Sequence, residues 1–528
     1  RYAPRQESRQ NASQVKQTLA KQNEKYMKHV GSMHGKQIHV GSSGKKTKLW
    51  LLASFIKNEN RLEYLRELSL LSAKSFKCSL EGDRLYSVAE IGITPDFVRY
   101  CAEIIVKNAK GQDQLVNENR FIEFIQYAYY LHTKDDTVVA PDPITIWILY
   151  SYRQFGYQES MHDAIARSFY IFVKIWKTTN KVELIDIENE IDQECGVRYE
   201  KLLILSFLLL TYENGNFFEI SEGEFDKITE RFRSKPNYDD YQAFLSWIST
   251  DYKSIEEYDY LNEINPFIKW PVISTGETPN GRNSKAYLII SKADLMLRVT
   301  KNMYYIFLDK HRVGKDNAFK REFGYVFENY VGDYLKYYLT FYDVCSFKYR
   351  KTKKCEVDSV DWVCKRDNKL VLIEVKQSSI YFKAKSTGSI DECQKNLRQT
   401  INEAFEQIRT MKLDIDTGSY PELNAYRNCN AMGLVVIYDS LYSANSIFKE
   451  IIEKETGSMP LPVQIINVAE LEILLDAKLG SDDLFSILED KNSNYDDSKL
   501  DFKEYMVKRG FEKGGSKFLN KYFKEIVG

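Results

Sequence analysis

The sequence predicts a mostly α-helical N-terminal domain followed by an α/β domain whose mixed β-sheet is flanked by helices. Three observations predict it. From Trp50 to about Asp309, apolar residues recur at three- and four-residue spacing, the period of an amphipathic helix. From about Lys315 the pattern changes to short apolar runs interleaved with helical segments, the order expected of a sheet covered by helices. Pro (11) and Gly (25) are scarce in 528 residues, which favours long regular elements over linkers.

Residues 1–48 read as a basic arm. Eleven Lys/Arg against Glu7 and Glu24 give it a net charge of +9, and Gln, Asn and Ser fill most of the rest. Such a segment fits an electrostatic contact with phosphates or a solvated tail. Residues 49–310 follow as a helical recognition or regulatory domain. Its helices are expected over Leu51–Leu71, Asn119–His132, Met161–Trp176, Tyr199–Tyr212 and Tyr238–Trp247. Residues 311–480 form the α/β domain. A helix over Asp316–Leu339 precedes strands at Val344–Tyr349 and Ser359–Cys364, and the turn Lys365–Lys369 leads into Leu370–Lys376. A helix over Asp391–Met411 and strands at Met432–Tyr438 and Val463–Val468 complete the pattern. Residues 481–528 read as a polar tail with short amphipathic helices at Phe502–Lys508 and Ser516–Ile526.

Lys+Arg 74 against Asp+Glu 75 sum to −1, which for a uniform distribution would argue against a polyanionic partner. The distribution is not uniform, because the +9 arm leaves −10 on everything after it. A 43% hydrophobic and 28% charged composition excludes a disordered chain. The longest apolar run, Leu202–Tyr212, falls short of the ~20 residues of a membrane-spanning helix, so no membrane partner is expected. No apolar leader follows Arg1, and the eight cysteines contain no C-x-x-C pair. Both point to a cytoplasmic protein with reduced thiols.

The chemistry concentrates in Leu370–Lys376. A continuous apolar run of this length suits a central strand buried on both faces, yet it ends in Glu374 and Lys376, which such a strand should avoid. Their spacing of two puts both side chains on one face, with Val375 on the other. If Arg366–Lys369 close the hairpin, Asp361 falls opposite Glu374 on that same face. Two carboxylates then supply oxygen ligands for one Mg²⁺, and the adjacent ammonium can hold an attacking water or stabilise a phosphorane. Asp358 is a second candidate, but the hairpin count favours Asp361. Basic residues surround the motif, from Lys348 to Lys354 before it and from Lys383 to Arg398 after it, as a bound polyanion would require.

Val360-Asp361 followed by Glu374-Val375-Lys376, with a helix upstream and a helix and strands downstream, resembles the PD-(D/E)xK nuclease superfamily. The resemblance spans roughly residues 315–475. It implies a restriction-endonuclease-like fold in which Asp361, Glu374 and the main-chain carbonyl of Val375 hold the metal and Lys376 is the catalytic lysine. Many members add a glutamate from the first helix, and Glu328, flanked four residues either side by Gly324 and Gly332, fits that position. Val360 stands where the motif's name has proline, which touches no ligand. The expected function is a metal-dependent nuclease, a DNA endonuclease of restriction or anti-phage defence type using Mg²⁺, for which Mn²⁺ can substitute. DNA is expected ahead of RNA by family analogy, with a homodimer or protein partner served by the helical domain. Two other readings stay open. One is a nucleic-acid- or partner-binding protein whose nuclease-like domain is silent, and the other is an RNA-cleaving effector.

Overall fold

The computed structural model describes residues 45–528 apart from 82–85, 90, 112–115, 136–158, 180, 183, 213–215, 259–264, 277–285, 314–315, 353–354, 378–389, 419, 442–443, 478–482 and 512–514. The chain divides into two units, Arg1–Leu52 and Ala53–Gly528. Of the first, only the start of the helix Lys45–Ile56 is described, so the expected basic arm lies almost wholly outside the described residues.

Within the second unit the expected helices Glu118–Asp135, α1 (Met161–Phe169), Tyr199–Thr211 and Tyr238–Ile248 form, whereas the helix expected over Leu51–Leu71 is two, Lys45–Ile56 and Arg61–Glu81, interrupted at 57–60. A π-helical turn at Tyr170–Ile175 continues α1. The helical region also holds a small four-stranded sheet, in the order Phe217–Phe218, Tyr287–Ile289, Val272–Ser274, Ser249–Asp251. Strands of two or three residues are too short to print a two-residue alternation in the sequence, so helical periodicity masks them. No described helix is long and apolar enough to cross a membrane.

The α/β region is built from α2 (Ala318–Tyr338), β1 (Asp343–Cys345), β2 (Trp362–Arg366), β3 (Lys369–Lys376), α3 (Ile390–Thr417), β4 (Asn430–Ile437), β5 (Val463–Asn467) and α4 (Val468–Asp476). The five strands lie in the order β5-β4-β3-β2-β1. β3, β4 and β5 run parallel, while β2 is antiparallel to both β3 and β1, a mixed sheet as expected. The expected strand Val344–Tyr349 breaks in two, Asp343–Cys345 and Lys348–Thr352, and the one expected at Ser359–Cys364 begins only at Trp362, because Lys348–Thr352 and Cys355–Asp358 pair with one another as a separate hairpin.

The sheet's two faces carry two cores. Val371, Ile373 and Val375 of β3 pack with Phe323 and Phe327 of α2, whereas Leu370 and Leu372 pack with Ile401, Phe405 and Ile408 of α3. α2 presents Phe319, Phe323, Phe327, Tyr330 and Tyr334, all fully or almost fully buried, as one aromatic stripe at spacings of three and four. Each such side chain contributes about 1.5–3 kcal/mol by leaving water.

That first core does not stop at residue 310. It runs from Phe76 to Ile526 and takes in α1, the helix Tyr199–Thr211, α2, the sheet and the C-terminal helices. The expected boundaries at 310/311 and 480/481 are therefore not breaks in packing. Residues 481–528 contain the helices Leu484–Ser493, Phe502–Lys508 and Lys517–Val527, which bury Leu484, Leu488, Phe502 and Leu519. The polar composition of this stretch hides those apolar faces, and some of its polar residues, Lys491 and Asp497 among them, are buried as well.

Candidate active site

Asp361 and Glu374 come together because of a two-residue turn. Arg366 pairs with Lys369 and Trp362 with Ile373, leaving Asp367 and Asn368 to reverse the chain. Asp367 takes a positive φ of 52°, which such a tight hairpin turn demands and which Asp tolerates better than most residues. Continued by one residue, this register sets Asp361, just ahead of β2, opposite Glu374. The alternation of β3 then sends Glu374 and Lys376 to the α3 face, together with Asp361.

The contacts lock this arrangement. The Val375 N–H donates to Asp361 Oδ2 at 2.7 Å. Lys376 Nζ donates to Glu374 Oε1 at 2.6 Å and to Gln407 Oε1 of α3 at 2.6 Å. Glu374 is 0% exposed, and its Oε2 receives no hydrogen bond among the described residues. Burial raises the Glu374 carboxyl well above the usual range, and the neighbouring Asp361 charge raises it further. Burial likewise raises Asp361, against the opposing pull of the Val375 N–H and of Lys376. Two carboxyls this close and this buried are costly to ionise together, and a divalent cation relieves that cost by replacing their shared proton.

These residues fit Mg²⁺. The pair offers hard oxygen ligands on one face, and Glu374 Oε2 is an orphaned buried acceptor, which in a native fold calls for a partner. On β3 the Lys376 carbonyl accepts from the Tyr438 N–H on the β4 side. The Val375 N–H turns to the Asp361 side, and alternation turns its carbonyl there too.

Glu328 stands elsewhere. It is half-buried on α2, which covers the opposite face of the sheet, and its main-chain carbonyl accepts the Trp362 indole N–H at 3.0 Å. Gly324 and Gly332 do permit the close approach expected of them. A Cβ at Gly332 would overlap the Trp362 ring at 1.9 Å, and one at Gly324 would lie 3.0 Å from Gln377 Nε2. No three His, Cys, Asp or Glu side chains converge as metal ligands among the described residues, so Glu328 does not complete a cluster with Asp361 and Glu374. Gln377, on the α2 face, has its Oε1 buried without a hydrogen-bond partner among the described residues. Gln407 carries no signal in the sequence, since only the fold sets α3 beside Lys376. Lys348 is exposed, while the side chains of Asp358 and of the basic residues at 350–354 and 383–398 lie outside the described residues.

No family model, no curated protein and no solved structure matches this chain.

Proposed function

We propose that this chain is a divalent-cation-dependent nuclease of the PD-(D/E)xK kind that hydrolyses phosphodiester bonds in DNA. The observation that carries the reading is the shared face at the end of β3: Asp361 and Glu374 held against each other, with the Lys376 ammonium 2.6 Å from Glu374. A buried like-charge pair beside a cation is an expensive arrangement for stability alone, which favours a chemical reason for it. When bound, Mg²⁺, or Mn²⁺ in its place, supplies a polarised water and a counter-charge for the phosphate. Asp361, Glu374 and the Val375 carbonyl hold it. Lys376 orients the attacking water or stabilises charge on the phosphorane oxygens, and Gln407 keeps that ammonium aimed along the strand. The preference for DNA, and for an endonuclease of restriction or anti-phage type, rests on family analogy.

The test is direct. Purified protein is incubated with plasmid DNA, single-stranded DNA and RNA in Mg²⁺, Mn²⁺ or EDTA, alongside Asp361→Ala and Lys376→Ala. Cleavage of DNA in either metal, absent in EDTA and in both variants, is expected. Metal-dependent cleavage that survives in both variants sinks the site assignment. Cleavage of RNA alone replaces the substrate, and binding without cleavage of any substrate favours the silent binding module.

A further inference from the structure

The active-site side chains all come from the α/β region, but one cation beside them does not. Lys181 belongs to the segment between the helices Trp176–Thr178 and Ile187–Cys195, more than a hundred residues upstream of β2. This segment is fastened along one side of α2. Thr179 Oγ1 accepts from Asn329 Nδ2 at 3.2 Å, and the N–H groups of Leu184 and Ile185 donate to the buried Glu322 carboxylate at 2.7 and 3.1 Å. Between these fastenings Lys181 Nζ sits 4.5 Å above the ring of Tyr325. Glu322, Tyr325 and Asn329 follow one another at three- and four-residue steps, so the segment runs along one stripe of the helix.

Three features single out Lys181. Its side chain is exposed, and no carboxylate forms an ion pair with it among the described residues. A ring beneath the stem fixes the direction of the ammonium at little entropic cost. The stripe it lies on also adjoins the end of β3, because a Cβ at Gly324, next to Tyr325, would stand 3.0 Å from Nε2 of Gln377, the residue after Lys376. α2 and α3 cover opposite faces of the sheet, and Lys376 leans toward α3 through Gln407. Two lysines therefore lie by the end of β3, Lys376 on the α3 face of the sheet and Lys181 on the α2 side.

We infer that Lys181 is a positioning residue that holds a backbone phosphate next to the scissile one, so that the nucleic acid crosses the end of β3 between Lys376 and Lys181. The inference rests on the nuclease reading and adds to it a role for the helical region, which supplies part of the substrate channel. An ammonium on a backbone phosphate aligns the substrate without reading its sequence.

The test uses the full chain and a short DNA duplex, comparing wild type with Lys181→Met, which keeps the stem over Tyr325 and removes the charge, and with Lys181→Arg. Binding is measured in EDTA across a salt series, and cleavage kinetics in Mg²⁺. Lys181→Met is expected to weaken binding and raise KM by roughly three- to tenfold, with kcat close to wild type. The slope of log K against log salt should fall by about 0.9, the value of one lost phosphate contact on duplex DNA. Lys181→Arg should restore most of both. A Lys181→Met protein with wild-type KM and salt slope, in an enzyme that cleaves, overturns this proposal and leaves the nuclease reading standing. A wild-type chain that binds DNA but cuts nothing overturns the nuclease reading, while the salt slope still judges Lys181. A wild-type chain that binds no nucleic acid overturns both.

Discussion

The cost of the carboxylate pair falls on single side chains and is measurable there. In the folded chain without metal, Glu374 is buried against Asp361 and its carboxyl is raised, so at neutral pH folding must either hold a proton on it or tolerate the repulsion. Glu374→Gln keeps the shape and an acceptor for Lys376 while removing the charge. It is expected to stabilise the protein by roughly 1–2 kcal/mol in EDTA, and to abolish both cleavage and the stabilisation that Mg²⁺ gives wild type. Denaturant melts with and without Mg²⁺ read both effects, and a destabilised Glu374→Gln protein in EDTA would contradict the picture of a strained pair. Asp361 and Glu374 were legible in the sequence because strand pairing is arithmetic: once Arg366 faces Lys369, every other pair is fixed. Lys181 was not legible, since its place depends on Glu322 and Asn329 fastening a distant segment, and no local pattern encodes that.

Between elements, the seam of α2 against β2 and β3 sets how close the helix comes to the site. Gly332 lets the Trp362 ring lie against the helix backbone, and the indole N–H then reaches the Glu328 carbonyl at 3.0 Å. A methyl at Gly332 has no room, because its Cβ would fall 1.9 Å from a ring carbon fixed between helix and strand. Gly332→Ala should cost about 1–3 kcal/mol and shift the Trp362 environment, visible as a change in fluorescence relative to a Trp362→Phe background. Gly223, in the helix Glu222–Thr229, is the control: none of the described residues lies within 4 Å of its Cβ position, so Gly223→Ala should stabilise by roughly 0.5–1 kcal/mol. Equal effects at the two positions would mean that propensity alone, and not the seam, decides them. The same seam explains what the sequence left open about Glu328. Helical spacing puts Gly324, Glu328 and Gly332 on one face, but nothing in the spacing says which side of the sheet that face will meet. The fold puts it against Trp362 and Gln377, across the sheet from Glu374.

At the scale of the molecule, the helical region and the sheet region belong to one compact unit from Ala53 onward. Apolar seams cross residue 310: Trp176 stacks on Phe319, and both Phe172 and Tyr304 pack on Phe323. A buried ion network crosses it as well. Arg167 donates to both carboxylate oxygens of Glu472 at 2.6 and 2.7 Å and to Glu159 at 2.9 Å, while Lys301 pairs with Glu159 at 3.1 Å and with Asp439 at 3.4 Å. Burial alone would raise the Glu159 carboxyl, but Lys301 and Arg167 more than reverse this and hold it at about 2. A carboxyl depressed on folding stabilises above its unfolded value of 4.5 and loses that contribution as pH falls toward about 2. Glu159→Gln should therefore flatten the acid limb of the stability curve between those values, with Arg167, Lys301, Asp439, Glu472 and Tyr438 left in place around it. Arg167→Met, which strands Glu472 without its cation and leaves Glu159 with Lys301 alone, should cost about 3–5 kcal/mol at neutral pH. The two domains expected from the change of pattern near residue 311 meet their sharpest test in a fragment of residues 311–528. Such a fragment exposes Phe319, Phe323 and the rest of the α2 stripe, and takes Arg167 from Glu472 and Lys301 from Asp439. It is expected to be insoluble or to bind hydrophobic dye without a cooperative melt, whereas the full chain resists proteolysis near residue 310. A soluble fragment with a sharp transition and Mg²⁺-dependent cleavage would show that the helical region is an addition to the nuclease and not part of its core.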